Sequence, residues 1–314
     1  MSNSFLKPEV IASTALGLLE RELVLGQLVW TDHGLDFAGA KGDTVNLRIP
    51  ARVTAREYDW RNDRSATITT DELVEDSYPV TLNHDLYSAV AVTDEEMTLD
   101  IESFGTRVLA PQVRAIAEEI DGRIAAMIED ESNWTEGENA FSGVEPTFAT
   151  ILKARQVLNQ NNVPREGRYL LVGSDFETEL LALDKFSDVN RAGSSSALRE
   201  AVLGRLAGFT VVGSNAISPT SAYAFVSSAF LVATRAPVAP AGAPFAAAAS
   251  HAGYAMRWIR DYDPTRLQDR SIVSTFAGFN VVKDQPTPGD TDGDKVLKRA
   301  VRLSMEGGES SDPS

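Results

Sequence analysis

Hydrophobic positions follow a helical period in one long stretch of the chain, which begins near Asp94 and ends near Asp130. Apolar residues recur there at three- and four-residue intervals, as on one face of a helix. They are Phe104, Val108, Val113, Ile116, Ile120, Ile124, Met127 and Ile128. Thr93 and Glu96 form a capping-box pattern at the start, and Pro111 should kink or divide the helix because it lacks a backbone donor. The last ~30 residues alone would extend about 45 Å, which predicts a strut that carries other elements.

The segment before this helix shows two different patterns. Residues 8–23 have the apolar spacing of an amphipathic helix, and Pro8 stands near its first turn, where proline is well tolerated. Residues 24–41 have no clear period, although they include the apolar side chains of Leu25, Leu28, Val29, Trp30 and Phe37. These side chains need cover, so the segment is either an extended arm that reaches another surface or a part of its own domain.

Alternating apolar residues predict strands at 43–52 and 77–92, the second as one strand or two. The mostly polar stretch between them is too long for an ordinary loop in a compact domain. We therefore predict a two-stranded arm that projects from the body of the protein. An isolated hairpin is only marginally stable in water, so we expect this arm to rest on another surface, with Tyr58 and Trp60 near its tip.

Short helices and strands alternate after the long helix. The pattern predicts helices at 146–160, 175–183 and 197–202, strands at 168–172, 204–215 and 222–234, and a long antiparallel pair at 254–262 and 268–282. We expect strands 168–172 and 204–215 to share one mixed sheet, with helices 146–160 and 175–183 packed on it. The residues from 285 onward have the composition of a flexible tail, with KVLKRAVRLSM as a candidate short element within it.

Composition excludes several kinds of protein. The 314 residues include no cysteine, so disulfides and thiolate sites are absent, and no apolar run is long enough to cross a bilayer. The first residues lack the basic-then-apolar order of a signal peptide, which predicts synthesis inside the cell. The net charge of −16 opposes tight wrapping of nucleic acid. It would still allow the protein to line a space that contains nucleic acid.

Charge is distributed unevenly around the predicted arm. The arm carries Arg48, Arg52, Arg56, Arg61 and Arg64, whereas residues 66–106 contain no lysine or arginine and many acidic residues. One interpretation is a solvated acidic face. The other is that the arm of one subunit lies over the acidic helix start of another. This second interpretation selects the contact residues Arg56, Tyr58, Trp60, Arg61 and Arg64 of the arm and Glu95, Glu96 and Glu102 of the helix start.

No pattern of residues indicates catalysis, a cofactor or a metal site. His33, His84 and His251 are far apart in the sequence and are expected to be structural. The run of Asp290, Asp292 and Asp294 resembles the start of a calcium loop, but the required glycine and closing glutamate are missing. A salt bridge explains Asp261 and Asp263 beside Arg260 better than a catalytic carboxylate pair does. We therefore predict that the chain is not an enzyme and has no catalytic, cofactor-binding or metal-binding residue.

The order of these elements resembles that of the major capsid proteins of tailed bacteriophages, which have the Hong Kong 97 fold. The stretches NSFLKPEVIASTALGLLERELVLGQLV, GDTVNLRIPAR and GRLAGFTVVGSN carry the resemblance, and the first is similar to coat proteins of short-tailed and actinobacterial phages. The resemblance implies an α+β fold with an N-terminal arm, an extended loop called the E-loop, a spine helix, and peripheral and axial domains. The implied boundaries are 1–41 for the arm, 42–80 for the E-loop, 81–144 for the peripheral domain with the spine helix, 145–217 for the axial domain, 218–284 for the return strands and 285–314 for the tail.

The resemblance also implies a function. The chain would self-assemble, as pentamers and hexamers, into an icosahedral shell that encloses a double-stranded DNA genome without sequence-specific binding. It would be made in the cytoplasm of the bacterial host, reside in the virion capsid and work with a portal protein. It would also use a separate scaffolding protein, since the chain has no long N-terminal coiled segment. The alternatives are the shell of an encapsulin-like compartment and a hydrolase or binding domain with an unrecognised site.

Overall fold

The computed structural model describes residues 8–31, 44–49, 55, 57–58, 67–68, 70, 76–93, 105–182, 202–240, 242–243, 245–251, 253–284 and 295–305. The α-helices in this part of the chain are α1 (Pro8–Glu22), α2 (Ala110–Glu129), α3 (Phe148–Gln160) and α4 (Ser174–Leu181). Most of the remaining described residues belong to two six-stranded sheets and a two-stranded hairpin.

Helix α2 confirms the long amphipathic helix over its described length. One apolar stripe, with Val113, Ile116, Ile120, Ile124 and Ile128, is fully buried. A turn of π-helix at Gly105–Leu109 precedes it, and Pro111 stands in its first turn. The helical region is therefore continuous here, and it changes from π-helix to α-helix at Ala110, next to the proline that lacks a backbone donor. The predicted start at residues 94–104 lies outside the described residues.

The first sheet is built around β13 (Gln268–Val281), its longest strand. On one side β13 pairs with β12 (Tyr254–Asp263) and, further along, with β10 (Phe230–Arg235). On the other side it pairs with β4 (His84–Thr93). The short strand β1 (Trp30–Thr31) runs parallel to β10, and β11 (Phe245–His251) pairs with β12. The predicted antiparallel pair of β12 and β13 is thus confirmed.

Helices α1 and α2 pack on one face of this sheet and form the main core with it. Leu19 of α1, Ile116 of α2, Trp258 of β12 and Val273 of β13 belong to the same buried cluster. We call this the inner face of the first sheet, and the opposite face its outer face.

The second sheet has the order β5, β14, β9, β6, β8, β7. Its strands are β5 (Ala140–Phe141), β14 (Ala300–Ser304), β9 (Ser221–Val226), β6 (Arg168–Val172), β8 (Phe209–Gly213) and β7 (Val202–Leu206). Strand β6 runs parallel to β8 and antiparallel to β9, so the predicted mixed sheet is confirmed. Helices α3 and α4 cover one face, where Leu158 and Phe176 join the cluster of Leu170. The other face, which includes Leu171, belongs to the main core.

The predicted arm has a hairpin at its base, formed by β2 (Thr44–Ile49) and β3 (Asp76–Thr81) in antiparallel register. Strands β3 and β4 are separate, which settles the number of strands in the predicted 77–92 segment. Two residues, Leu82 and Asn83, connect them.

Two strand predictions were wrong. Residues 204–215 are not one strand, because β7 and β8 meet at a tight turn in which Ala207 and Gly208 have positive φ angles of 50° and 87°. Accordingly, Val202 begins a strand instead of ending a helix; residues 197–201 lie outside the described residues. The predicted strand 222–234 is also two strands, β9 and β10, separated by the 3₁₀ turn Ser227–Ala229 and placed in different sheets.

Two segments that the sequence left open pack on the body of the protein. Leu25, Leu28 and Val29 are buried in the main core of their own chain, so residues 24–31 belong to their own domain. The candidate short element in the predicted tail contains β14, which lies between β5 and β9 with Val301 and Leu303 fully buried. The segment from 295 to 305 is therefore a structural part of the second sheet.

Candidate functional site

The contact residues predicted for the arm lie mostly beyond what the structure describes. Tyr58 is described and is partly buried. The other predicted contact residues, namely Arg56, Trp60, Arg61, Arg64, Glu95, Glu96 and Glu102, lie outside the described residues. The pairing of arm and helix start therefore stays a prediction.

The root of the arm, by contrast, is fixed to the first sheet. Tyr78 and Val80 of β3 are buried in a small cluster with Leu231, Ala233 and Val282. The side-chain amide of Asn280 donates to the carbonyl of Pro79 at 2.5 Å. At Gly278 of β13, a Cβ atom would clash with the carbonyl oxygen of Thr81, so the close approach of the two backbones requires glycine. The root of the arm is thus held firmly on the first sheet.

A partly buried carboxylate on the long helix holds the segment that follows α1. Asp121 accepts the backbone N–H of Val24 at Oδ2, at 2.8 Å, and that of Gly26 at Oδ1, at 2.9 Å. The hydroxyl of Tyr254 donates to the carbonyl of Gly26 at 2.7 Å. Burial raises the pKa of Asp121 above its ordinary value, whereas these backbone donors lower it. Side chains of α2 and β12 therefore hold one turn of backbone from two sides.

Sequence reasoning missed Asp121, although the sequence contains a signal for it. The buried residues Ala117 and Ile124 lie four and three positions away, so Asp121 stands on the apolar stripe of α2. A carboxylate at such a position must find hydrogen-bond donors, because burying it without them is costly.

The end of the long helix is joined to the second sheet by a second polar network. The indole of Trp134 donates to the carbonyl of Ile128 at 2.9 Å. The side-chain amide of Asn139 donates to the carbonyl of Leu297 at 3.0 Å and accepts the N–H of Thr135 at 2.7 Å. Helix α2, the loop after it and the segment that leads into β14 are therefore held together as one unit.

His84 and Asp261, two of the residues that sequence reasoning considered for chemistry, have structural partners. His84 Nδ1 lies 2.9 Å from a guanidinium nitrogen of Arg123. Burial lowers the pKa of His84, and the charge of Arg123 lowers it further. Asp261 does form a salt bridge, but its partner across the strands is Arg270, at 2.6 Å, while Arg260 pairs with Asp269. His33 lies outside the described residues.

Within the described ranges, no three His, Asp or Glu side chains are grouped so that they could hold a metal ion. No helix in the same ranges has the length and apolarity needed to span a membrane. The described ranges do show a fixed arm root, a held N-terminal segment and a long helix, α2, that is joined to both sheets.

Comparison with known protein families identifies what this framework belongs to. Residues 87–294 match the family described as phage capsid protein. This range runs from β4 through α2 and most of the second sheet to the segment beyond β13. The chain belongs to the phage capsid protein family. A search among curated proteins finds no significant match.

Solved structures show the same fold at low sequence identity. A chain from Mycobacterium phage Che8 is 19% identical, with 91% of this capsid protein and 92% of that chain covered and a TM-score of 0.56. The acid-stable capsid of Helicobacter pylori bacteriophage KHP30 is 15% identical, with coverages of 85% and 84% and a TM-score of 0.57. A virus-like particle from Pyrococcus furiosus is 10% identical, with coverages of 94% and 97% and a TM-score of 0.51.

These findings confirm the prediction of a tailed-phage major capsid protein with the Hong Kong 97 fold. The Pyrococcus furiosus particle shares that fold, but the family match favours a phage capsid over the encapsulin-like alternative. Membership of the family also makes this capsid protein a structural component of the virion that assembles with copies of itself around DNA.

Proposed function

We propose that the chain forms the icosahedral shell of a tailed phage, in which pentamers and hexamers enclose a double-stranded DNA genome. The observation that carries this proposal is the family match over residues 87–294, which includes the long helix and strands of both sheets. A closed shell needs many identical contacts, and each subunit of this fold offers a fixed arm root from which a long segment extends.

The fold supports an assignment of parts within this shell. The first sheet with α1 and α2 would be the peripheral domain with its spine, and the second sheet with α3 and α4 would be the axial domain around the symmetry axes. Residues 1–41 would be the N-terminal arm, although residues 8–31 pack on their own domain. Residues 42–80 would be the E-loop. Strand β14 adds residues from the predicted tail to the axial domain.

We further propose that the E-loop docks on a neighbouring subunit. Its residues Arg56, Arg61 and Arg64 would pair with Glu95, Glu96 or Glu102 of the neighbour, while Tyr58 and Trp60 would add apolar contact. The buried packing of Tyr78 and Val80 supports this, because a root held on the first sheet reduces the conformational freedom that the arm would lose on docking. Each exposed ion pair contributes only ~0.2–1 kcal/mol, but a shell repeats it in every subunit.

The proposed partners follow from the charge and the fold. The net charge of −16 would keep packaged DNA from adhering to the shell. A separate scaffolding protein and a portal protein would complete assembly in the host cytoplasm. We propose no turnover chemistry for the chain. A nucleotide- or metal-dependent activity that a single His or Asp substitution abolishes would contradict this.

Electron microscopy of the purified protein tests the shell itself. We expect uniform shells, or capsomers that close into shells when a scaffolding protein is supplied. A protein that stays monomeric under all of these conditions would refute the proposal.

Charge reversal tests the docking of the arm. The triple variant Arg56→Glu, Arg61→Glu and Arg64→Glu should keep its fold, since it leaves the buried arm root intact, but should assemble poorly. A second reversal, Glu95→Arg with Glu96→Arg, should partly restore assembly.

The matched control reverses three exposed arginines elsewhere, Arg165, Arg205 and Arg266, which changes the net charge by the same amount. If both triple variants assemble equally well at low and high salt, the ion-pairing part of the proposal is wrong.

A further inference from the structure

Strand β4 is an edge of the first sheet in the described part of the chain. It pairs with β13 over ten residues, from His84 to Thr93, and no described strand pairs with its other side. Ten residues is long for an edge strand, since typical strands have about five or six. The backbone groups along such an edge can pair with another chain.

Beyond Asp85, the sequence of β4 lacks the features that usually protect an edge strand. Soluble proteins place lysine, proline or a bulge at such edges to prevent unwanted pairing. Residues Tyr87–Thr93 contain no charge and no proline, although 24% of the whole chain is charged. The register with β13 has no bulge. Tyr87 is 71% exposed and Val90 36% exposed, so exposed apolar side chains accompany this edge.

The registers of the sheet determine which backbone groups point away from it. His251 and Tyr254 close a two-residue hairpin, so they must form a hydrogen-bonded pair. Hydrogen-bonded and non-hydrogen-bonded pairs alternate along antiparallel strands. The registers therefore show which residues of β12 bond to β13, and then which residues of β13 bond to β4. Residues 84, 86, 88, 90 and 92 bond to β13. The N–H and C=O groups of residues 85, 87, 89 and 91 face outward.

We propose that an extended segment of a second copy of this chain pairs with the outer edge of β4 and adds a strand to the first sheet. This inference rests on the proposed shell function and names one of the contacts that would build the shell. The pairing needs backbone groups from the partner, so it requires an extended segment and not a globular surface.

Two observations favour a second copy over a different protein. Each subunit carries one such edge, so every subunit of a shell needs an occupant, and the chain itself is the partner present in equal number. Moreover, β4 begins two residues after the fixed arm root, which places the edge beside the element that is proposed to cross between subunits.

Proline substitution tests the proposal without breaking the sheet. Ala89→Pro with Ala91→Pro removes two outward N–H groups and leaves the bonds between β4 and β13 intact, because proline is accepted where the N–H faces away from the ladder. The matched control is Ala246→Pro with Ala248→Pro, which removes two outward N–H groups from β11 at another edge of the same sheet. Circular dichroism and thermal unfolding report whether each variant is folded.

We expect the β4 variant to lose at least about tenfold in assembly yield while the β11 variant assembles like the wild type. If both variants or neither lose assembly, the inference is wrong.

Hydrogen exchange of the wild type keeps the test decisive if the β4 variant fails to fold. The amides of Tyr87, Ala89 and Ala91 should exchange at least about tenfold more slowly in shells assembled from the purified chain than in unassembled subunits. Equal exchange would refute the pairing, including the case in which only another protein occupies the edge. A wild type that forms no shell at all would instead refute the proposed function.

Discussion

Asp121 offers the sharpest test of how the N-terminal segment is held. The substitution Asp121→Ala removes the acceptors of two backbone N–H groups, those of Val24 and Gly26, whose hydrogen bonds measure 2.8 and 2.9 Å. An unsatisfied buried polar group costs about 1–3 kcal/mol. The substitution also removes a carboxylate whose raised pKa shows that burial disfavours its charge. We therefore expect a net loss of ~2 kcal/mol, roughly a 30-fold change in the local equilibrium constant.

Hydrogen exchange of the unassembled subunit measures this effect directly. The amides of Val24 and Gly26 should exchange about 30-fold faster in Asp121→Ala than in the wild type. Asp121→Asn should be intermediate, because its carbonyl oxygen can accept from one N–H while its amide nitrogen faces the other. The matched control is Glu118→Ala, which removes an exposed carboxylate from the same helix. Unchanged exchange at Val24 and Gly26 in Asp121→Ala would refute the reasoning.

The pH dependence gives this prediction a second check. Since burial raises the pKa of Asp121 in the folded state, folding at neutral pH is less favourable with the ionised carboxylate than it would be with the protonated one. That penalty disappears as the pH falls through the raised pKa. The free energy of unfolding of the wild type, relative to that of Asp121→Asn, should therefore increase on acidification. A difference that stays constant or decreases would show that hydrogen bonding and not burial dominates at this site.

Three further substitutions test other parts of the framework by chemical denaturation. Gly278→Ala should destabilise the subunit by about 1–3 kcal/mol, because the new Cβ would clash with the carbonyl of Thr81 at the arm root; an unchanged midpoint would argue against the close packing. Gly122→Ala should stabilise it by up to ~1 kcal/mol, since a Cβ in this helical position meets no atom within 4 Å, and a loss of stability would contradict this. Burial and the charge of Arg123 lower the pKa of His84, so the wild type should lose stability relative to His84→Gln as the pH falls below about 6.5. Parallel pH profiles would rule out that role for His84.

Local patterns in the sequence were sufficient to predict the elements that bury only one apolar face. The three- and four-residue spacing of Val113, Ile116 and Ile120 predicts α2, because a helix forms its backbone bonds within itself and needs only one apolar face. Pro111 marks the start of α2 for the same local reason. Alternation and turn residues likewise predict β12, β13 and the hairpin at the arm root.

The other elements depend on contacts between segments that are far apart in the sequence, so local patterns did not predict them correctly. Residues 222–234 form one apolar run, and no local feature shows that Ser227–Ala229 carries the chain from the second sheet to the first. Strand β14 was predicted only as a short element in a tail, since its partners on β9 lie more than seventy residues earlier. Asp121 was overlooked because its N–H donors come from a turn almost a hundred residues away.

For the candidate assembly surface at β4, the sequence again determined some properties and the tertiary structure determined the others. The sequence alone determined that Tyr87–Thr93, the last seven residues of β4, carry no charge and that a long polar segment precedes the strand. Only the tertiary structure decided that this strand lies at an edge of the first sheet and which of its N–H groups face outward. The physical reason is that a strand has two sides, and its sequence does not state which of them another strand will cover.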